Sequence, residues 1–183
     1  MIAAVAAGIR SVDKRARFST HVSGITAVQP AQALAFFKAM KDGGFFPDEL
    51  GFSFYPSSSD RPSQRLEAFQ KTLAAVRGEL GRPVFIAEFG YPAGQVREGP
   101  FSTWNHALEK YPLTPQGQAG LLRDLVAWGA GAGVSGIRPW APDTPAPGWE
   151  PFALFGMEGT TASARPGLGA IADGLGSAAR TAR

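Results

Sequence analysis

RPVFIAEFGYP, residues Arg82 to Pro92, is an apolar run that stops on a single acid. Val84, Phe85, Ile86 and Ala87 lead into Glu88, and Phe89-Gly90-Tyr91-Pro92 closes the stretch. A near-continuous apolar run of this length reads as a strand covered on both faces, as in a parallel sheet. A glutamate is among the residues least often buried without a partner. Glu88 is therefore either an acid exposed at a strand end or an acid held there for chemistry. The run alone leaves both readings open.

Outward from this strand, the chain alternates. Residues 2–10 read as helix and RFSTHVSG (17–24) as a short strand ending near His21. AQALAFFKAMKDGG (31–44) has apolar positions at helical spacing and a Gly-Gly stop. ELGFSFYP (49–56) is a strand closed by Pro56, and residues 63–80 form a helix with Ser63 as its N-cap and Gly81 beyond its end. After the strand at 83–92, residues 114–133 make a helix that Thr114 caps and Pro115 opens. VSGIRPW (134–140) is the fourth strand, and residues 166–180 are a small-residue helix. Repeated strand–helix alternation argues for right-handed β-α-β units and a parallel sheet, an α/β fold. No linker divides the chain, so residues 1–175 read as one domain and 176–183 as a flexible tail.

In parallel β/α architectures functional groups gather at the C-terminal ends of the strands. Those ends carry His21, Tyr55, Glu88 with Tyr91, and Trp140 with Asp143. Polar and aromatic side chains on all four ends point to a sugar-binding cleft, since sugars offer hydroxyls and apolar C–H faces together. The connection Ala93–Leu113 is long for a compact domain and carries Trp104, Asn105 and His106. Its PFSTWNHALEKYP (100–112) is too aromatic for a disordered spacer and reads as a cleft wall.

Composition limits the alternatives. The chain has 183 residues, an apolar fraction of 44% and a mean hydropathy of −0.06, as expected of a globular domain with a real core. A net charge of +3 is mild, and its basic residues are scattered apart from DKRAR (13–17), which reads as a solvated helix end. Nucleic acid is thus not an expected partner. Cysteine is absent, which excludes disulfide and thiolate chemistry. MIAAVAAGIRSV lacks a basic residue ahead of its short apolar run, so it reads as an amphipathic helix and not as a signal peptide. No run approaches the roughly 18 apolar residues that span a bilayer, and no membrane association is expected.

DELGFSFYPSS, RPVFIAEFGYP, LTPQGQAGLLRDLV and GIRPWAPD with WEPFALFG carry a further signal. Together they resemble the C-terminal half of glycoside hydrolase family 53, the arabinogalactan endo-β-1,4-galactanases. The resemblance runs from STH (19–21) to LFG (154–156). It implies a TIM-type (β/α)8 barrel whose fifth to eighth strands are the four found here. It also implies a retaining glycosidase that acts on an oligo- or polysaccharide without a cofactor. Some bacterial relatives carry calcium in the loop after strand seven, but here that loop holds only Glu98 and Glu109, far apart and without a calcium-loop pattern, so no metal is expected. Glu88 would be the nucleophile at the end of strand seven. His21, Tyr55 and Trp140 would line the sugar site, with Trp140 as its floor; Tyr91, at its strand end, and Trp104, on the long connection, are read as joining them. Family members are mostly secreted.

The departures carry expectations of their own. An aromatic residue tends to follow the strand-six Tyr-Pro in the family; here the sequence is Ser57-Ser58-Ser59-Asp60. Trp104 is the candidate to supply that platform, and another β-glycan is a second substrate reading. The acid/base glutamate of the family would stand at the end of strand four, upstream of the helix that opens this chain. The chain therefore reads as a half-barrel, whose unpaired edges would meet an N-terminal half-barrel or a second copy. A third reading is a non-catalytic carbohydrate-binding protein that keeps the cleft.

Overall fold

The computed structural model describes residues 1–144 and 146–181. Four parallel strands, β1 (Ser19–Val22), β2 (Glu49–Phe54), β3 (Val84–Phe89) and β4 (Val134–Pro139), form one sheet in the order β1-β2-β3-β4. The helices are α1 (Ile2–Val12), α2 (Pro30–Asp42), α3 (Pro62–Leu80), α4 (Pro115–Ala132) and α5 (Pro166–Thr181). The expected alternation is present throughout. One piece differs from expectation: a hairpin, β5 (Phe155–Glu158) with β6 (Thr161–Ala164), follows the fourth strand. The last helix, α5, covers the expected 166–180 and so takes in the start of the stretch read as a tail; residues 182 and 183 lie outside the described residues.

The helix ends explain themselves from sequence. Thr114 Oγ1 accepts the Gly117 N–H at 3.0 Å, and Pro115 occupies the first turn, as its fixed φ favours. Gly81 and Gly133 close α3 and α4 at φ +64° and +72°, a left-handed conformation that a β-carbon disfavours. Ser63 is not a cap. The helix α3 opens one residue earlier at Pro62, with Arg61 at the N-cap position, because proline is itself pre-set for the first turn.

Leu50, Phe52 and Phe54 alternate along β2 onto the helix-facing side, where they meet Phe37 of α2 and Phe69 of α3. The Phe54 and Phe69 rings stack at 4.1 Å. Val84, Ile86 and Phe89 of β3 join the same core. Each fully buried Phe or Leu contributes about 1.5–3 kcal/mol, so this layer anchors the sheet.

Strict alternation would put Glu88 on that side too, two residues after Ile86. It does not lie there. Ile86 pairs with Phe52 but Glu88 pairs with Ser53, so the register slips by one residue at this point. The bulge leaves Phe85, Ala87 and Glu88 on the opposite face, with Gly51 and Ser53. Bulges often re-aim a side chain beside a site, and this one does so for the acid. The Phe89-Gly90-Tyr91-Pro92 stretch lies after this slip, so the bulge and not that stretch re-aims the acid.

Candidate functional site

On the face opposite the helices, three side chains converge on the Glu88 carboxylate. Ser53 Oγ and Tyr55 Oη each donate to Oε2 at 3.0 Å. His21 Nε2 stands 3.6 Å from Oε1, an ion-pair distance too long for a hydrogen bond. The register supplies this convergence: His21 is opposite Gly51 on β2, and Ser53 is opposite Glu88 on β3. A β-carbon on Gly51 would fall 2.7 Å from Cβ of His21, so only glycine lets the histidine sit there.

The two acceptor oxygens have unlike surroundings. Ser53 is 3% exposed, and its donor lies beneath the carboxylate. The Glu88 side chain is 30% exposed and that of His21 43%, so the carboxylate opens on the His21 side. Burial, with the charge and hydrogen bond of Glu88 added, pushes the Tyr55 hydroxyl well above the ordinary tyrosine range. Tyr55 therefore stays a proton-bearing donor at any physiological pH.

Beyond Tyr55 stands an aromatic wall. Its ring meets Trp104 at 5.1 Å and Trp140 edge-on at 5.5 Å. Trp140 in turn packs on Trp149 at 4.1 Å, and Phe101 bridges Trp104 and Trp149. The Trp140 backbone N–H donates to the Phe89 carbonyl at 2.8 Å, which anchors this residue at the strand end next to Glu88. Trp104 is held through its neighbour: Asn105 bonds both backbone groups of Val96, at 2.8 and 3.0 Å, and the carbonyl of Ser102. The half-exposed faces of Trp104, Trp140 and Tyr55 suit the C–H face of a sugar ring.

Structure and expectation part at several residues. Tyr91 does not line the cleft; it is 1% exposed, and its hydroxyl donates to the Tyr111 carbonyl and accepts the Leu108 N–H. It pins the long connection instead, because a buried phenol must find partners. Trp149 belongs to the half-exposed aromatic wall. His106 and Asp143 are exposed on their connections. Sequence reasoning named Asn105 on the long connection without a role and passed over Ser53 and Gln118. Ser53 had a signal: it lies two residues before Tyr55 on one strand, hence on the same side, in an otherwise apolar run.

Gln118 is the brace behind the site. It is 1% exposed, and its amide donates to the Tyr91 carbonyl at 2.8 Å and the Phe152 carbonyl at 3.3 Å. It thereby ties the β3 connection to the segment under Trp149. Next to it, a β-carbon on Gly117 would fall 1.8 Å from the Pro112 carbonyl oxygen, which explains the Gly-Gln pair. Among the described residues, no group of three or more His, Asp or Glu side chains comes together to hold a metal. No described helix is long and apolar enough to cross a membrane.

Known proteins show the same frame. The sequence model of glycosyl hydrolase family 53 matches residues 1–155. The structure of the Ignisphaera aggregans GH53 catalytic domain aligns at a TM-score of 0.73 and 22% identity, over 93% of this chain and 50% of that one. A structure of fungal β-1,4-galactanases aligns at 0.70 and 18% identity, over 93% of this chain and 52% of that one. The catalytic core of xylanase A follows at 0.60 and 12%, over 95% of this chain and 54% of that one. No curated protein matches the sequence. The likenesses establish the fold as a fragment of a TIM-type α/β barrel, and the chain spans about half the length of these structures.

Proposed function

The chain belongs to glycosyl hydrolase family 53, and on that premise we propose that it carries the nucleophile half of a retaining β-galactanase site. Glu88 is the nucleophile. In retaining glycosidases one carboxylate attacks the anomeric carbon while a second, about 5–5.5 Å away, protonates the leaving oxygen and then activates water. The observation that carries this reading is the Glu88 carboxylate held by two buried-side donors, with its other oxygen open beside His21.

Each neighbour has a task in that reaction. Tyr55 and Ser53 donate to the carboxylate and fix its direction. His21 lines the sugar site beside the attacking oxygen. Trp140 is the floor under the bound sugar, and Trp104 stands where the Ser57–Asp60 segment offers no aromatic platform. The acid/base comes from strands that complete the barrel, since the carboxylate's partners here are a serine, a tyrosine and a histidine. Strands β1 and β4 are the edges of the sheet at which an N-terminal half-barrel or a second copy would pair.

A direct test is hydrolysis of β-1,4-galactan and of activated β-galactosides, by the chain alone and with a complementary half-barrel from a family member. Glu88→Gln abolishes turnover in every combination that is active. Unchanged turnover by that variant removes the assignment. The altered segment after Pro56 favours, as a second reading, a β-glycan other than galactan, which a panel of β-glycans distinguishes. Calorimetric binding of galactan oligosaccharides with no reducing ends released, even with the complementary half present, leaves a binding protein instead.

A further inference from the structure

The two carboxylate oxygens of Glu88 are not equivalent, and the difference assigns them separate roles. Oε2 accepts from both Ser53 Oγ and Tyr55 Oη at 3.0 Å, which engages its two lone-pair directions. Among the described residues Oε1 makes no hydrogen bond, and His21 Nε2 stands 3.6 Å from it, on a side chain more exposed than Glu88 itself. We infer that Oε1 is the oxygen that bonds to the sugar and that Ser53 is a positioning residue that holds Oε2 back.

The backbone makes Ser53 indispensable to that arrangement. The β-bulge brings Glu88 directly opposite Ser53, so the hydroxyl reaches across one strand spacing with no freedom to lose. Tyr55 approaches the same oxygen from the strand end and could alone let the carboxylate pivot about that one bond. Two donors from one strand, two residues apart, stop the pivot. With both in place, Oε1 is kept on the side of His21.

This inference rests on the proposal that Glu88 is a nucleophile, and its step balances simply. With an aryl 2-deoxy-2-fluoro-β-galactoside, the Oε1–C1 bond forms while the C1–O bond breaks. A dinitrophenolate departs with the bonding electron pair. So acidic a phenol leaves without a proton, and the missing acid/base residue does not enter.

The test follows labelling of the chain by this compound with mass spectrometry, and determines crystal structures in parallel. Ser53→Ala is expected to lower the first-order labelling rate about tenfold, the size of one lost hydrogen bond to a charge, with the dissociation constant of the reagent within about twofold. Ser53→Thr, which keeps the hydroxyl, restores most of the rate. In crystals of Ser53→Ala the Glu88 carboxylate turns towards His21. Equal labelling rates in wild type and Ser53→Ala overturn the role of Ser53. If the wild-type chain is not labelled at Glu88 at all, the nucleophile proposal and the role of Oε1 fail together, and the carboxylate's position in the Ser53→Ala crystal then decides whether Ser53 is a positioning residue. A carboxylate that has not moved there overturns it.

Discussion

Gly90 and Tyr55 share a space that holds only one side chain: a β-carbon on Gly90 would fall 2.8 Å from Cε1 of the Tyr55 ring. The ring leans on bare backbone one residue past the Glu88–Phe89 strand end, and that contact brings its hydroxyl to Oε2. Backbone conformation at Gly90 does not demand glycine, since its φ is not positive. Steric room does.

Gly90→Ala should therefore destabilise by about 1–3 kcal/mol, the usual cost of overpacking, and push the Tyr55 ring off Glu88. Paired with Tyr55→Ala, which vacates the space, the same substitution should cost markedly less. A double-mutant cycle by chemical denaturation measures the coupling. Additive effects would show that the two residues do not compete.

Removal of the Glu88 charge should be visible at Tyr55. The hydroxyl is pushed up by burial first, then by the charge and hydrogen bond of Glu88. Glu88→Gln keeps the burial and a neutral acceptor but deletes the charge, so Tyr55 ionises at lower pH than in wild type, still above the ordinary value of about 10. Phenolate absorbance, followed in a background where Tyr91 and Tyr111 are phenylalanine, reports it. An unchanged midpoint contradicts the contact.

Alkaline stability follows from Tyr111. Burial, then its hydrogen bond to Asp124 and that residue's charge, push its hydroxyl up to about 12, with Arg123 opposing. A folded-state value above the unfolded one favours the protonated fold, so this contribution is intact below about pH 10. It is lost as pH rises from about 10 towards about 12, where the unfolded chain ionises first. Denaturation midpoints across that window should fall more steeply in wild type than in Tyr111→Phe.

Gln118→Ala should cost about 1–3 kcal/mol, because it leaves the buried Tyr91 and Phe152 carbonyls without a donor. The damage should concentrate in the connection after β3 and the segment under Trp149. Hydrogen exchange of residues 91–113 and 149–154, compared with that of β2, checks this. Uniform loss of protection would mean that Gln118 braces the whole sheet.

What the sequence could reveal depended on the range of the interactions involved. Strand and helix order rests on local periodicity and on signals such as Thr114-Pro115 and Gly133, and the structure has those elements where the spacing puts them. The β5–β6 hairpin carried a local signal too, Gly159 in a two-residue loop, but its strands are only four residues each and β6 is exposed along its length, so no burial pattern marks them. The direction of Glu88 had no local signal at all. It depends on a register slip between β2 and β3, a non-local pairing that alternation within one strand contradicts. Tyr91 shows the same limit: a strand-end tyrosine can face a cleft or plug a connection, and the Leu108 and Tyr111 backbone decides which.

The most direct measurement of the central claim is the site of covalent labelling. The chain is incubated with the activated 2-deoxy-2-fluoro-β-galactoside, digested, and its peptides are sequenced by mass spectrometry. A single glycosyl ester on Glu88, absent from Glu88→Gln, is the expected result. A wild-type chain with Glu88 unmodified, or with the sugar on another carboxylate, contradicts it.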